Sequence, residues 1–163
     1  MYQGKTLSLA QIENGFVELN FNNQTGSVNK FNQQTLAELR EAVDILKTCA
    51  DIRGLLLTSS KSVFIVGADI TEFKQMFSAS KEVFIQASQT VNSLFSEIED
   101  LPYPSVAAIN GFALGGGFEI CMACDSRVIS SQAAVGLPET NLGILPGWGG
   151  SVRLPRLAGM FAG

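Results

Sequence analysis

The sequence contains no histidine over its 163 residues. This absence excludes Ser-His-Asp and Cys-His catalysis, histidine general bases and histidine metal ligands. Acid–base chemistry would therefore have to use carboxylates, lysine, tyrosine or cysteine. Cysteine is also scarce, and without histidine the three residues Cys49, Cys121 and Cys124 cannot complete a four-ligand zinc site.

Basic runs and long apolar runs are absent as well. The net charge is −4, from 11 basic and 15 acidic residues, so no surface for nucleic acid is predicted. No apolar run approaches the ~18 residues of a membrane span, and the first residues lack the pattern of a secretory signal. An odd number of cysteines without such a signal favours a reducing compartment, and we expect a cytoplasmic protein.

The chain does contain 46% hydrophobic residues, enough for one domain with a hydrophobic core. Alternating apolar residues on both sides of Asn14-Gly15 predict a β-hairpin. Helical spacing predicts helices over residues 32–49, 81–98 and 151–163, and apolar runs predict strands or short extended segments over residues 53–58, 63–66, 105–109, 127–130 and 134–136. Strands separated by crossover helices indicate an α/β fold.

Two glycine-containing turns, Val66-Gly67-Ala68-Asp69 and Gly115-Gly116-Gly117, each lie between a predicted strand and a predicted helix. Strand ends gather at one edge of a parallel sheet, so N–H groups from both turns could converge on one carbonyl oxygen as an oxyanion hole. The alternative, two tight turns whose glycines only serve packing, stays open at this point. For Asp69, the spacing to Glu72 favours a helix-capping role.

Two carboxylates could serve such a hole. Glu119 lies on the first turn of the helix after the second glycine turn, and Glu139 follows an apolar stretch. A desolvated carboxylate has a raised pKa suited to proton transfer near neutral pH. The alternative for each is an ordinary surface glutamate. Cys121 and Cys124 form a C-x-x-C pattern, but they lie inside an apolar helix, which favours a core role over a redox role.

Three segments resemble the signature blocks of the crotonase (enoyl-CoA hydratase/isomerase) superfamily, in that family's order: residues 64–70, 110–119 and 137–144. Residues 26–31 and 147–156 further resemble the N-terminal hydratase domain of bacterial multifunctional fatty-acid oxidation enzymes. The resemblance implies an α/β, crotonase-like fold in which ββα repeats form a spiral of stacked sheets with surrounding helices. It also implies that residues 1–163 form an incomplete domain, truncated before the last crotonase helices and a downstream dehydrogenase part.

The resemblance assigns roles to individual residues. The backbone N–H groups of Ala68 and Gly116 would hold the thioester carbonyl. Glu119 would orient and deprotonate a water molecule, and Glu139 would pass a proton to the α-carbon of the substrate. The positions matching the segments that contact substrate and CoA are Val66, Gly67, Ala68, Asp69, Ile70 and Gly115.

The implied reaction is the addition of water to trans-2-enoyl-CoA in fatty-acid β-oxidation. No cofactor is implied beyond the CoA of the substrate, and NAD would belong only to the absent dehydrogenase part. The implied partners are the acyl-CoA thioester and, in a full-length protein, a thiolase β subunit, with no nucleic acid. Truncation would expose apolar surface, so we expect homo-oligomers or self-association. An enoyl-CoA isomerase and a non-catalytic acyl-CoA-binding or assembly fragment remain alternatives.

Overall fold

A computed structural model describes residues 1–72 and 79–159 of the chain. Four helices are described, α1 (Gln33–Thr48), α2 (Lys81–Glu99), α3 (Gly116–Ala123) and α4 (Gly150–Ala158). The strands are β1 (Tyr2–Gln3), β2 (Leu7–Gln11), β3 (Phe16–Phe21), β4 (Gly54–Ser59), β5 (Ser105–Ile109), β6 (Ala113–Leu114), β7 (Ser126–Ile129) and β8 (Val135–Gly136). Two short 3-10 helices span Glu13–Gly15 and Pro138–Leu142.

The main sheet has the strand order β1-β2-β3-β4-β5-β7. Its first three strands are antiparallel, and β3, β4, β5 and β7 run parallel. The predicted hairpin is confirmed as β2 and β3, and its turn uses left-handed backbone at Asn14 (φ 59°) and Gly15 (φ 80°). A second sheet of only β6 and β8, also parallel, lies beside the first.

The two long predicted helices are confirmed within one residue at their ends. Asn32 caps α1, since its side-chain oxygen accepts from the N–H of Thr35 at 2.8 Å. Each helix buries one face in a shared core and exposes the other, as apolar residues at helical spacing require. The buried apolar residues are Leu39, Ala42, Val43 and Leu46 on α1, and Val91, Leu94, Phe95 and Ile98 on α2.

Helix α3 is buried along its whole length of eight residues. A helix that is apolar on every side can be stable only inside a core. Cys121 and Cys124 are free and buried, which confirms their predicted core role. The guanidinium of Arg127 donates to the carbonyls of Cys121 (3.2 Å) and Cys124 (2.8 Å), and so satisfies acceptors at the C-terminal end of α3.

Some local predictions differ from the structure. The predicted extended segment 63–66 forms only an isolated bridge, between Ile65 and Ala113. The predicted C-terminal helix ends at Ala158, and residues 160–163 lie outside the described part. In place of the helix predicted from Asp69, residues 70–72 are helical, and residues 73–78 also lie outside that part. Among the described helices, none is long and apolar enough to cross a membrane.

Glu97 joins α2 to α1 through a charged cluster. Arg40 donates to both of its carboxylate oxygens at 2.7 Å, and Lys47 donates to one of them at 2.7 Å. Hydrogen bonds from Arg40 and then Lys47 outweigh burial and lower the pKa of Glu97 to about 2. The cluster therefore stabilises the fold only while Glu97 is ionised.

We expect Glu97→Gln to lower the free energy of unfolding at neutral pH by no more than about 1 kcal/mol, because the charged cluster is partly exposed. The pKa of Glu97 is lower in the folded protein than in the unfolded chain. The stabilisation from ionised Glu97 is therefore complete above the unfolded pKa and disappears as the pH falls towards 2. Thermal unfolding of wild type and Glu97→Gln, from neutral to acidic pH, measures this stability difference. Glu13→Gln, at an exposed position, is the control. A difference that persists at pH 2 would contradict the assignment.

Candidate active site

A cavity of about 840 Å³ opens at the carboxyl ends of the small parallel sheet. Gly115 follows β6, Pro138 and Glu139 follow β8, and Val66 follows the bridge residue Ile65. Ligand sites in open α/β sheets lie at such strand ends. The glycine turn at 115–117 thus follows β6 rather than directly following β5, because the two-residue strand β6 intervenes.

All nine predicted site residues line this one cavity. They are Val66, Gly67, Ala68, Asp69, Ile70, Gly115, Gly116, Glu119 and Glu139. The cavity volume falls within the range of about 300–1,000 Å³ typical of small-molecule sites. The structure therefore brings these nine predicted site residues together, and the chemical role of each stays a prediction.

The geometry around Ala68 leaves one backbone donor free. The N–H of Phe31 donates to the Gly67 carbonyl, and the N–H of Asp69 donates to the Phe31 carbonyl, both at 2.9 Å. The N–H of Ala68 shares a trans peptide group with the Gly67 carbonyl and points in the opposite direction, so it points away from Phe31. Within residues 1–72 and 79–159 it has no acceptor.

A second free donor is the N–H of Gly116, the first residue of α3. The first N–H groups of a helix have no partner inside the helix, and the described residues supply no acceptor for this one. Gly115 precedes it with φ of +53°, a conformation that favours glycine. A Cβ built on Gly67 would lie 3.7 Å from the Gly116 nitrogen, so the two turns are adjacent.

Glu119 is almost completely buried, with 1% of its surface exposed. One carboxylate oxygen, Oε1, accepts from the N–H of Trp148 at 2.9 Å and from the N–H of Gly150 at 2.8 Å. Burial raises the pKa of Glu119, and the charge of Glu139 raises it further. The two N–H groups and Arg153 act in the opposite direction without reversing the pKa shift.

Glu139 lies in the short 3-10 helix after β8, against the bare backbone of Gly115. A Cβ at Gly115 would lie 3.0 Å from Oε1 of Glu139, so a side chain there would compete with the carboxylate for space. The other oxygen, Oε2, is buried and has no hydrogen-bond partner among the described residues. Burial raises the pKa of Glu139. A buried oxygen without a partner is suited to receiving or giving a proton.

Asp69 has a structural role beside the cavity. One oxygen accepts from the N–H (3.0 Å) and the hydroxyl (2.7 Å) of Thr71, and the other pairs with Lys30 at 2.5 Å. The hydrogen bond from Lys30 is the main cause that lowers the pKa of Asp69. The predicted capping role is therefore confirmed.

Sequence patterns gave no role to the residues that hold Glu119. Trp148 packs edge-on against Phe31 and Phe95, with ring centroids 5.8 and 6.0 Å apart. A Cβ on Gly116 would lie 2.5 Å from the Trp148 ring, so the ring lies directly against the start of α3. The hydrogen bonds that hold Glu119 join residues 29 and 31 positions apart, beyond the reach of local patterns. The Gly149-Gly150 pair was the one local signal of a close backbone approach.

Comparison with known proteins agrees with this geometry. The family model described as enoyl-CoA hydratase/isomerase matches residues 11–162. The chain belongs to the enoyl-CoA hydratase/isomerase family. Two curated relatives from this family are fatty acid oxidation complex subunits alpha. The one from Pseudomonas aeruginosa strain PAO1 is 56% identical and the one from Pseudomonas syringae pv. tomato is 54% identical, each over 98% of this chain and 22% of the relative. The chain thus spans about a fifth of these relatives.

Solved structures support the same family assignment for this chain. An enoyl-CoA hydratase from Bacillus anthracis is 35% identical with a TM-score of 0.83, over 95% of this chain and 59% of that one. A Legionella pneumophila protein assigned to the enoyl CoA hydratases/isomerases (crotonases) is 28% identical with a TM-score of 0.88, over 97% of this chain and 60% of that one. The predicted α/β, crotonase-like fold is confirmed.

We expect Glu119→Gln to keep or raise the thermal stability at neutral pH. A glutamine Oε1 can still accept from Trp148 and Gly150, and the variant no longer buries a charge. The folded pKa of Glu119 lies above the unfolded one. The wild-type protein therefore loses stability as the pH rises from the unfolded pKa through the folded pKa of Glu119. The stability advantage of the variant grows over the same pH range. Thermal unfolding against pH measures this, and Glu97→Gln should show the opposite trend.

We expect Gly116→Ala to displace the Trp148 ring and to destabilise the fold by about 1–3 kcal/mol through overpacking. Trp148 is the single tryptophan of the chain, so its fluorescence emission reports the displacement directly. Gly136→Ala is the matched control, because the nearest atom to its new Cβ would be Leu114 Cδ2 at 4.0 Å. Identical emission spectra for the two variants would contradict the packing argument.

Proposed function

We propose that the chain is an enoyl-CoA hydratase of fatty-acid β-oxidation, which adds water to the double bond of a trans-2-enoyl-CoA. One observation carries the proposal. Two backbone N–H groups without an acceptor in the described part of the chain, of Ala68 and Gly116, and two desolvated carboxylates, of Glu119 and Glu139, line the same cavity. The names of the relatives, enoyl-CoA hydratase and fatty acid oxidation complex subunit alpha, support the same reaction class.

The two N–H groups suit the charge that develops in this reaction. When water adds to the β-carbon of an enoyl thioester, negative charge moves onto the thioester oxygen as an enolate. Donors fixed beforehand in a water-poor site stabilise such charge, and loss of one donor typically costs about 3 kcal/mol. In the proposed pose, the thioester oxygen accepts from Ala68 and Gly116.

The two carboxylates differ in a way that separates their roles. Glu119 accepts two N–H hydrogen bonds, which favour its ionised form, whereas Oε2 of Glu139 has no donor among the described residues. Two carboxylates lining one cavity also disfavour double ionisation. We therefore assign Glu119 as the base and Glu139, in its protonated form, as the acid.

Glu119 takes a proton from water while the water oxygen bonds to the β-carbon. The electrons of the double bond move towards the α-carbon and the thioester oxygen, and the α-carbon takes the proton of Glu139. The proton left on Glu119 must then return to Glu139, through solvent or product, before the next cycle.

The proposal includes no cofactor other than the CoA of the substrate. The CoA moiety would lie along the turn from Val66 to Ile70 and beside Gly115, all of which line the cavity. The chain spans 22% of the curated relatives named fatty acid oxidation complex subunit alpha. We accordingly propose that any NAD-dependent step, and contact with a thiolase β subunit, belong to a longer protein of that kind.

The isomerase alternative uses the same groups. Moving a double bond from position 3 to position 2 needs a carboxylate that removes one proton and returns it to another carbon, with the same enolate intermediate. The family description includes both activities. Turnover of a 3-enoyl-CoA without hydration of a 2-enoyl-CoA would favour this alternative, and binding without turnover of either would favour a non-catalytic fragment.

We expect Glu119→Gln and Glu139→Gln each to lower kcat/KM for a short trans-2-enoyl-CoA by about 10²–10⁴-fold, as loss of a general base or acid does. Loss of ultraviolet absorbance from the conjugated thioester follows the hydration. Glu97→Gln makes the same chemical change outside the cavity and should retain the wild-type rate. Unchanged rates in both cavity variants would refute the proposed function.

A further inference from the structure

The loop of residues 147–150 accepts hydrogen bonds from side chains that do not line the cavity. Arg153, on α4, is 9% exposed, and its Nε and Nη2 donate to Oε2 of Glu99 at 2.9 and 2.6 Å. Nη2 also donates to Ser96 Oγ at 3.2 Å. The remaining nitrogen, Nη1, donates to the carbonyl of Trp148 at 3.3 Å. The guanidinium thus ties the loop to α2.

A second contact from α2 reaches the same loop. Nδ2 of Asn92 donates to the carbonyl of Gly147 at 2.6 Å. That carbonyl belongs to the same peptide group as the N–H of Trp148, which donates to Glu119. A hydrogen bond at one end of a peptide group polarises the group and strengthens the hydrogen bond at its other end. Asn92 and Glu119 are therefore coupled through a single peptide plane.

Together the two side chains restrain the peptides on which Glu119 depends. Asn92 holds the carbonyl just before the Trp148 N–H, and Arg153 holds the carbonyl between the N–H groups of Trp148 and Gly150. Gly149, with φ of +103°, takes a conformation that favours glycine. Rotation of the 147–148 peptide would remove the Trp148 N–H from a buried carboxylate, and Arg153 restrains the 148–149 peptide that connects the two donor peptides.

We propose that Asn92 and Arg153 are positioning residues for the base, holding the 147–150 loop so that its two N–H groups stay on Oε1 of Glu119. This inference rests on the proposed function of Glu119 as the base. The two residues touch neither substrate nor reacting atoms. They act through the loop backbone, and Arg153 also adds a positive charge that lowers the pKa of Glu119.

Several charged groups lie around Glu119 and must be distinguished in any test. Glu139 raises its pKa and Arg153 lowers it. The other charged groups that line the cavity or pair with these residues are Glu99, Asp69, Lys30 and Glu72. Changing Asn92 alters none of these charges, so a shift in its variant must come from the loop N–H groups.

The variants Asn92→Leu and Arg153→Met test the proposal. Each removes the hydrogen bond while keeping a side chain of similar size. We expect kcat for hydration to fall about tenfold to a hundredfold with little change in KM, because a displaced base slows chemistry more than binding. The acid limb of the kcat profile should move to higher pH, since fewer donors then stabilise ionised Glu119. Arg153→Lys, which keeps the charge, should recover part of the shift in Arg153→Met.

A readout that does not depend on turnover separates this inference from the proposed function. In protein labelled with ¹³C at the glutamate carboxyls, the Glu119 signal, assigned by its loss in Glu119→Gln, should titrate at higher pH in both variants. Emission of the single tryptophan, Trp148, should shift to longer wavelength as the loop opens. A wild type without hydratase activity would refute the proposed function while leaving this titration to be measured.

The matched control is Arg40→Met. Arg40 also pairs with a glutamate of α2, Glu97, but contacts no residue of the 147–150 loop. It should lower the melting temperature without changing the Glu119 titration or the Trp148 emission. The inference is overturned if Glu119 titrates as in wild type in Asn92→Leu, or shifts equally in Arg40→Met. If Arg153→Met fails to fold, Asn92→Leu alone decides.

Discussion

The burial of one carboxylate organises this structure. Glu119 lies on a helix whose eight residues are all buried, where an uncompensated charge would be strongly destabilising. The loop before α4 approaches closely enough for two backbone N–H groups to reach the carboxylate. Helix α4 then begins at Gly150, so the first residue of this helix is one of the two donors to Glu119.

The cavity beside this carboxylate depends on three successive glycines, which have no side chain to fill the space that their neighbours occupy. Gly115 leaves room for the Glu139 carboxylate, and Gly116 lets the Trp148 ring lie against the start of α3. Gly117 has the same property towards the core, because a Cβ there would collide with the Ile65 carbonyl. Each glycine of the triplet therefore admits a different neighbour, and the interpretation as a simple tight turn explains only part of what they do.

Local patterns predicted most of the fold. The hairpin, α1 and α2 agree with their predicted ranges because alternation and helical spacing are properties of short segments. The strand β6 was not predicted, since two residues carry no periodicity and its pairing with β8 joins distant parts of the chain. All the predicted site residues line one cavity, but the residues that hold Glu119 were not predicted. The resemblance to a family selected the predicted residues, while spacing alone left the oxyanion hole and the tight turns as alternatives.

The sequence by itself determined the kind of chemistry that is open to this protein. With no histidine, acid–base chemistry was left to carboxylates, lysine, tyrosine or cysteine, and the two glycine turns offered candidate donors for an oxyanion. Only the tertiary structure decided how the groups differ: which backbone N–H faces the cavity, which glutamate is held by donors, and which is not. These properties depend on contacts between residues about thirty positions apart, and pKa shifts arise from such surroundings rather than from neighbours in sequence.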